Sequence, residues 1–199
     1  MVTTKELVKQ ALDYGAIQCP IELGQLIDFL RPKELHNCLE IGSESGGTFF
    51  LWCKLVYDLK ISLDLPAGAS GSGLYKDEHR RAWRNERMRS WSNQGEVACI
   101  NGDSHHGYSR AIVMSLLAGQ FLDLLFIDGD HSYAGVKQDY EMYGGFVRRG
   151  GLIIFHDIKD TPHHRRAGCF VADFWKELPG KKIEFCSDIH FGGIGIVEL

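Results

Sequence analysis

No CxxC pair occurs among the six cysteines, Cys19, Cys38, Cys53, Cys99, Cys169 and Cys186, and most of them sit in apolar stretches. Scattered thiols of this kind behave as small hydrophobes, suit a reducing cytoplasm and argue against a zinc module. No apolar run approaches the roughly 18 residues of a membrane span. The N-terminus, MVTTKELVKQALDYG, spaces its lysines through an amphipathic helical pattern and lacks the apolar core of a secretory leader. Positive charge is also in short supply. The formal net charge is −4, so wholesale phosphate binding is disfavoured and a nucleic-acid partner would need a local basic patch. The chain therefore reads as cytoplasmic, with no membrane partner and nucleic acid disfavoured.

What is present is an alternation. At 199 residues the chain fits one domain, 1–199, with N-terminal helices in 1–35 packing on it. Helical patterns at about 3–14 and 20–30, the second opening on Pro20, precede the apolar runs NCLEIG (37–42), ISLDLP (61–66), EVACINGD (96–103), LDLLFIDGD (122–130), GLIIFHD (151–157), KIEFCSD (182–188) and GIGIVEL (193–199). Helical patterns fall between them at 47–58, 77–91, 107–119, 133–147 and 167–177. In the fourth of these, Val136, Tyr140, Tyr143 and Val147 recur at helical spacing behind a Ser132 N-cap. Strands alternating with helices predict an α/β fold, a doubly wound, seven-stranded and mostly parallel sheet. No helix separates the last two runs, so they close it as an antiparallel hairpin. AGASGSGLYK (67–76) reads as a mobile loop.

Open sheets of this kind bind ligands outside the carboxyl ends of their strands. Glu40, Asp64, Asp103, Asp128 and Asp157 end such runs and thereby share one edge. The turn CLEIGSESGGT adds Gly42, Ser43 and Gly46 as cofactor-binding candidates, because glycine lets the backbone approach a ligand closely. Asp64 is placed to accept hydrogen bonds from a ribose diol. GxGxxG is missing, and Glu44 would oppose a pyrophosphate at the helix start, so a cofactor without phosphates fits better than a dinucleotide.

Together E-x-G-x-x-x-G, the acid after the second strand, NGDS after the third and the acid after the fourth resemble class I S-adenosylmethionine-dependent methyltransferases, which have a Rossmann-like fold. FIDGDHSYAGVKQDYEMYGGFVRRGGLIIFHDI is similar to a bacterial group that includes cephalosporin-hydroxylase-like and macrocin-type O-methyltransferases. The likeness covers roughly residues 36–158 and is specific for cofactor, far less for substrate. It implies S-adenosyl-L-methionine as cofactor and a hydroxylated small molecule as substrate, such as a sugar, natural product or phenol. Glu40 and Gly42 would bound the methionine moiety and Asp64 the ribose. Asp103 and Ser104 would lie beside the adenine, and Asp128 would face the methionine end.

Methyl transfer from a sulfonium gains from positioning and from an anionic nucleophile. A general base or a divalent cation can supply the latter. Asp128 and Asp157 end neighbouring runs and can converge on Mg²⁺ or another divalent metal, as the corresponding acids do in metal-dependent relatives. Those relatives follow the second acid with an amide or acid where this chain has Ile158, so Asp130 or His156 would be the third ligand, or the enzyme would work without metal. His131 stands where catechol-type relatives carry a lysine base and titrates near neutrality when unperturbed. The competing role for His131 is structural, capping the following helix or hydrogen-bonding Asp157. His105, His106, His163, His164 and His190 read as solvated loop residues, although their convergence would favour Fe²⁺ or Zn²⁺ over Mg²⁺.

DEHRRAWRNERMRSW puts Arg80, Arg84 and Arg87 on one face, read as a solvated helix balanced by Asp77, Glu78 and Glu86. A phosphorylated or acidic substrate is the sharper alternative for that face. The competing functions are a nicotinamide oxidoreductase, a nucleic-acid-modifying protein that uses the Arg helix, and a module that binds the cofactor without catalysis. Phe49, Phe50 and Trp52, read as exposed, would serve a homodimer interface as readily as a core.

Overall fold

The computed structural model describes residues 2–65, 78–190 and 192–199. Its elements in chain order are α1 (Thr4–Asp13), α2 (Pro20–Leu30), β1 (Leu35–Ile41), α3 (Gly47–Leu55), β2 (Val56–Asp64), α4 (Glu78–Ser90), β3 (Glu96–Asn101) and α5 (Gly107–Leu117). These are followed by β4 (Leu122–Ile127), α6 (Tyr133–Tyr143), a 3₁₀ turn (Gly144–Phe146), β5 (Val147–His156), α7 (Pro162–Ala167), α8 (Val171–Glu177), β6 (Lys182–Phe185) and β7 (Ile194–Glu198). The seven strands form one sheet in the order β3-β2-β1-β4-β5-β7-β6. β1 to β5 pair in parallel, and β7 runs antiparallel to both β5 and β6. The expected Rossmann-like sheet with its antiparallel C-terminal pair is the fold observed.

Alternation along the strands divides the apolar side chains between two cores. Leu124, Phe126, Leu152 and Ile154 face α1, α2, α3 and the end of α4. Leu125, Ile127, Ile153 and Phe155 face α5, α6 and α8. Because both faces are covered, the central strands read as continuous apolar runs rather than as alternating ones.

Several boundaries differ from the sequence reading. The third helix ends at Leu55, and β2 begins at Val56 rather than 61, because the VYDLK stretch pairs with β1 from its start. Val147 opens β5 instead of extending the helical stripe, since Gly144 and Gly145 stop α6. The helix expected at 167–177 begins only at Val171, and a separate short helix, α7, precedes it and is ended by Gly168 at φ +75 as a left-handed cap. Phe49, Phe50 and Trp52 are core residues at 0%, 2% and 0% exposure, so they offer nothing to a dimer interface. The loop expected at 67–76 and the counter-charge Asp77 lie outside the described residues. Among the described residues no helix is long and apolar enough to cross a membrane, and all six cysteines are free thiols.

Two features of the scaffold bear on stability. A Cβ on Gly47, the first residue of α3, would lie 2.0 Å from the backbone nitrogen of Ala16, so α3 starts hard against the α1–α2 connection. Asp139 on α6 is fully buried, with His105 Nε2 at 3.3 Å and the Ser104 hydroxyl beside it. Burial pushes its carboxyl up to about 6 against the pull of Ser104 and His105.

Gly47→Ala should lower stability by about 2 kcal/mol or more, hence the melting temperature by several degrees, because rigid backbone must move. Gly107→Ala, whose Cβ would meet nothing within 4 Å, should be neutral or slightly stabilising. Thermal unfolding of the two variants measures the contrast. For Asp139 the folded value lies above the unfolded one, so its contribution is full below pH ~4 and is lost as pH rises through about 6. Asp139→Asn removes this dependence. Its stability relative to the parent should therefore rise by on the order of 3 kcal/mol between pH 4 and pH 7, read from denaturant unfolding at each pH. A flat difference would mean that the carboxylate is solvated.

Candidate active site at the carboxyl edge of the sheet

Backbone hydrogen bonds stitch the strand ends into one rim. Gly42 N donates to Leu63 O at 2.9 Å, Gly102 N to Asp64 O at 2.8 Å, and Asp128 N to Ile41 O at 2.9 Å. Ile127 pairs with Phe155, which brings Asp128 level with His156 and Asp157. Gly42 is required here by the protein itself. It sits at φ +85, and a Cβ would fall 2.1 Å from the carbonyl oxygen of Asp128. Gly46 likewise meets Met88 and Trp91 of the α4 segment. The glycine pattern that suggested close approach to a ligand is thus also demanded by protein neighbours.

On the β1 side, Glu40 is 1% exposed and accepts a 2.7 Å hydrogen bond from Trp52 Nε1. Burial pushes its carboxyl well up, Asp128 adds to this, and the indole bond opposes it. Ser43 Oγ is buried and accepts from Ser62 Oγ at 2.8 Å. Asp64 is held by the Arg84 guanidinium, which also donates to Asn101 Oδ1 at 3.0 Å and to the Glu44 carbonyl at 3.1 Å. Arg84 is 1% exposed, so the solvated Arg face expected from sequence is instead turned into the fold. Arg87 follows it, donating to Ser45 O at 2.7 Å and lying over the Trp83 ring at 4.5 Å, while Arg80 stays exposed.

Asp103 and Ser104 serve the β3–α5 loop. Asp103 Oδ1 accepts from His105 N at 2.8 Å, and the Ser104 carbonyl accepts from Tyr143 Oη at 2.7 Å. Asp130 accepts from Ser132 N at 2.8 Å in the turn leading into α6. It is exposed and engaged in that turn, which leaves His156 as the sequence-derived candidate for a third ligand.

The densest chemistry lies at the ends of β4 and β5. Asp128 Oδ1 is 3.1 Å from His156 Nδ1 and 3.3 Å from His131 Nε2, and Oδ2 accepts from Gln18 Nε2 at 2.7 Å. Asp157 faces His131 Nδ1 at 3.4 Å, His156 Nδ1 at 3.4 Å and His164 Nε2 at 3.2 Å. Burial would raise the Asp128 carboxyl, but His156 and His131 hold it well below the usual carboxylate range. The same contacts act in reverse on the imidazoles. Burial would depress them, yet Asp128 and Asp157 lift both His131 and His156 to about 9. The base near neutrality read from sequence is therefore revised: in this setting His131 is held protonated between two carboxylates. Asp157 itself is at φ +62, a left-handed conformation rare for a residue with a Cβ and frequent at functional sites.

Ligand atoms of Asp128, His156 and Asp157 lie within 4.8 Å of one another, as do those of His131, Asp157 and Cys169. Burial pushes the Cys169 thiol up to about 11, so it stays protonated at neutral pH and is the weaker donor. Two members of the site were missed from sequence. Gln18 reaches Asp128 from the α1–α2 connection and is fixed by Thr48 Oγ1 at 2.8 Å. His164, read as a solvated loop residue, is 3% exposed on α7, where Thr161 and Pro162 start a helix that turns it inward. Only the HHRR stretch hinted at it, and no local pattern distinguishes its buried ring from that of His163.

Comparison with known proteins places this edge in a family. An uncharacterised protein of Sinorhizobium fredii, y4gI, is 26% identical over 77% of this chain, which spans 16% of that relative. The chain spans under a fifth of the length of the curated relatives it matches. Among solved structures, a Staphylococcus aureus protein assigned to caffeoyl-CoA O-methyltransferase superposes with a TM-score of 0.66 at 15% identity, covering 100% of this chain and 93% of its own. The MycE methyltransferase of the mycinamycin biosynthetic pathway, in complex with Mg and SAH, gives 0.54 at 16% identity over 95% of this chain and 53% of its own. These likenesses establish the fold. A family model described as a methyltransferase domain matches residues 39–158, a segment that runs from β1 to just past β5 and contains every acid of the rim. The chain belongs to this methyltransferase-domain family.

Proposed function

We propose that the chain is an S-adenosyl-L-methionine-dependent O-methyltransferase that acts on a hydroxyl of a small molecule, aided by a divalent cation at the Asp128–His156–Asp157 cluster. One observation carries this reading: the matched family segment coincides with the rim on which Glu40, Asp64, Asp128 and Asp157 are gathered. A structural neighbour with SAH and Mg in its complex supports the choice of cofactor and cation. The inward turn of Arg84 and Arg87 supports a small acceptor over nucleic acid, because it removes two guanidinium groups from any phosphate-binding face.

When bound, the cofactor supplies a sulfonium methyl and the cation lowers the pKa of a nearby oxygen. The chain's own residues do the rest. Glu40, fixed by Trp52 and buried, gains most from an ammonium group beside it, since burial alone penalises its charge. Asp64 keeps one oxygen on Arg84 and offers the other to a ribose diol. Gln18 and the two histidines orient Asp128. His131, the half-exposed member of the Asp128–His131–Asp157 array, is the group that an incoming hydroxyl meets, and its imidazolium charge stabilises the negative charge that forms on the hydroxyl oxygen as that proton leaves to water.

Calorimetry with SAH and, separately, with NAD tests the cofactor class. One SAH per chain and no NAD is expected, whereas NAD binding without the thioether would overturn the proposal. Once an acceptor is found by screening hydroxylated small molecules, His131→Gln should lower kcat by about 100-fold or more, as loss of a group that stabilises charge developing in the transition state does. Its SAH affinity should stay within about threefold. Equal kcat for the variant would remove His131 from the chemistry.

A further inference from the structure

Of the five arginines of α4, one is driven wholly into the protein. Arg84 is 1% exposed, whereas Arg80 and Arg89 lie on the surface. Burying a guanidinium is costly unless acceptors of the right geometry meet its fixed fork of donors. Here they come from three strand ends. Nη1 donates to Asp64 Oδ2 at the end of β2 and, at 3.1 Å, to the Glu44 carbonyl after β1, while Nη2 donates to Asn101 Oδ1 at the end of β3 at 3.0 Å. Nε donates to Asn85 Oδ1 at 3.1 Å, within α4 itself. A single side chain thus ties together the carboxyl ends of β1, β2 and β3.

For packing alone an apolar side chain of similar volume would serve as well as this ion pair. Two details point to a ligand instead. The Asp64 side chain is 19% exposed, and only its Oδ2 is engaged, so Oδ1 makes no hydrogen bond among the described residues. The terminal torsion of a carboxylate is broad, and an aspartate left alone at a rim turns freely; a guanidinium on one oxygen fixes the plane and aims the other. The pair is also neutral as a unit, which suits an uncharged donor such as a diol better than a phosphate. The second detail is the backbone of Glu44, at φ +41, a left-handed conformation that persists in a residue with a Cβ only where its surroundings over-determine it. α4 supplies those surroundings. Arg84 holds the Glu44 carbonyl, Arg87 Nη2 holds the Ser45 carbonyl at 2.7 Å, and a Cβ on the next residue, Gly46, would lie 2.5 Å from Met88 Cε.

We infer that Arg84 is a positioning residue of the cofactor site, one that makes Asp64 selective for the ribose diol by fixing its carboxylate and by holding the Glu44–Ser45 turn beside it. The arginine-rich helix is then a clamp on the adenosine half of the site and not a surface for phosphates. The inference rests on the proposed cofactor and adds to it the residue on which recognition of the ribose depends.

The test is calorimetry on the full chain with SAH and with its 2′,3′-dideoxy analogue, which lacks the diol and nothing else. The parent should prefer SAH by about 100-fold, as two hydroxyl donors to a charged acceptor imply. In Arg84→Met that preference should shrink to about threefold, through weaker SAH binding, while affinity for the analogue stays within about threefold of the parent's. Arg84→Lys keeps the charge but loses the fork, so its preference should fall between, at about tenfold. A merely structural arginine would weaken both ligands alike, and that outcome overturns the assignment, as does a folded variant that keeps the parent's full preference. Where Arg84→Met does not fold, Arg84→Lys decides by the same criterion. The parent chain separates this inference from the reading beneath it. SAH binding without preference over the analogue removes the role of Arg84 and keeps the cofactor, whereas binding of neither ligand overturns the cofactor itself.

Discussion

Two carboxylates brought level at the ends of β4 and β5 can remain together out of water only if positive charge sits among them. Asp128 and Asp157 meet that condition with imidazoles. His156 lies against both, His131 spans them from the solvent side, and His164 approaches Asp157 from α7. Neighbouring segments are arranged to make this possible. α7 starts at a Thr161 cap that turns His164 inward, and Gly192 leaves room beside His156.

The segments flanking the matched domain take part in the same construction. Gln18, from the connection between the first two helices, supplies a neutral donor to Asp128 where another cation would be excessive. Glu22 on α2 is fully buried and accepts from Ser187 N at 2.7 Å and Gly193 N at 3.1 Å, fastening the N-terminal helices to the loop between β6 and β7. That loop carries His190 and Gly192. A buried carboxylate satisfied by backbone donors is strongly directional, so it fixes the loop's register over the cluster.

Much of the rim was legible in the sequence, because parallel strands place their terminal residues on one edge whatever the intervening lengths. Asp64, Asp128 and Asp157 were found in this way, and the α/β alternation gave the sheet. The Arg84 contact was hidden because an arginine in DEHRRAWRNERMRSW looks like any other surface charge. Only the approach of α4 to β2 and β3 shows that one of the five enters the fold to meet Asp64 and Asn101. Phe49, Phe50 and Trp52 were misread for the opposite reason. An aromatic run on a helix looks like a patch until α1 and α2 are seen to cover it.

Periodicity, a local property, by itself determined the architecture and gathered the strand-end acids on one edge, and the resemblance of the motifs E-x-G-x-x-x-G, NGDS and FIDGDHSY to methyltransferases pointed to the family. The tertiary structure alone decided which histidines belong to that edge, which glycines are required by packing, and which side chain holds Asp64. The physical reason is distance along the chain. Gln18 to Asp128 spans 110 positions and Arg84 to Asp64 spans 20, and contacts of that kind leave no periodic trace in either partner's local sequence.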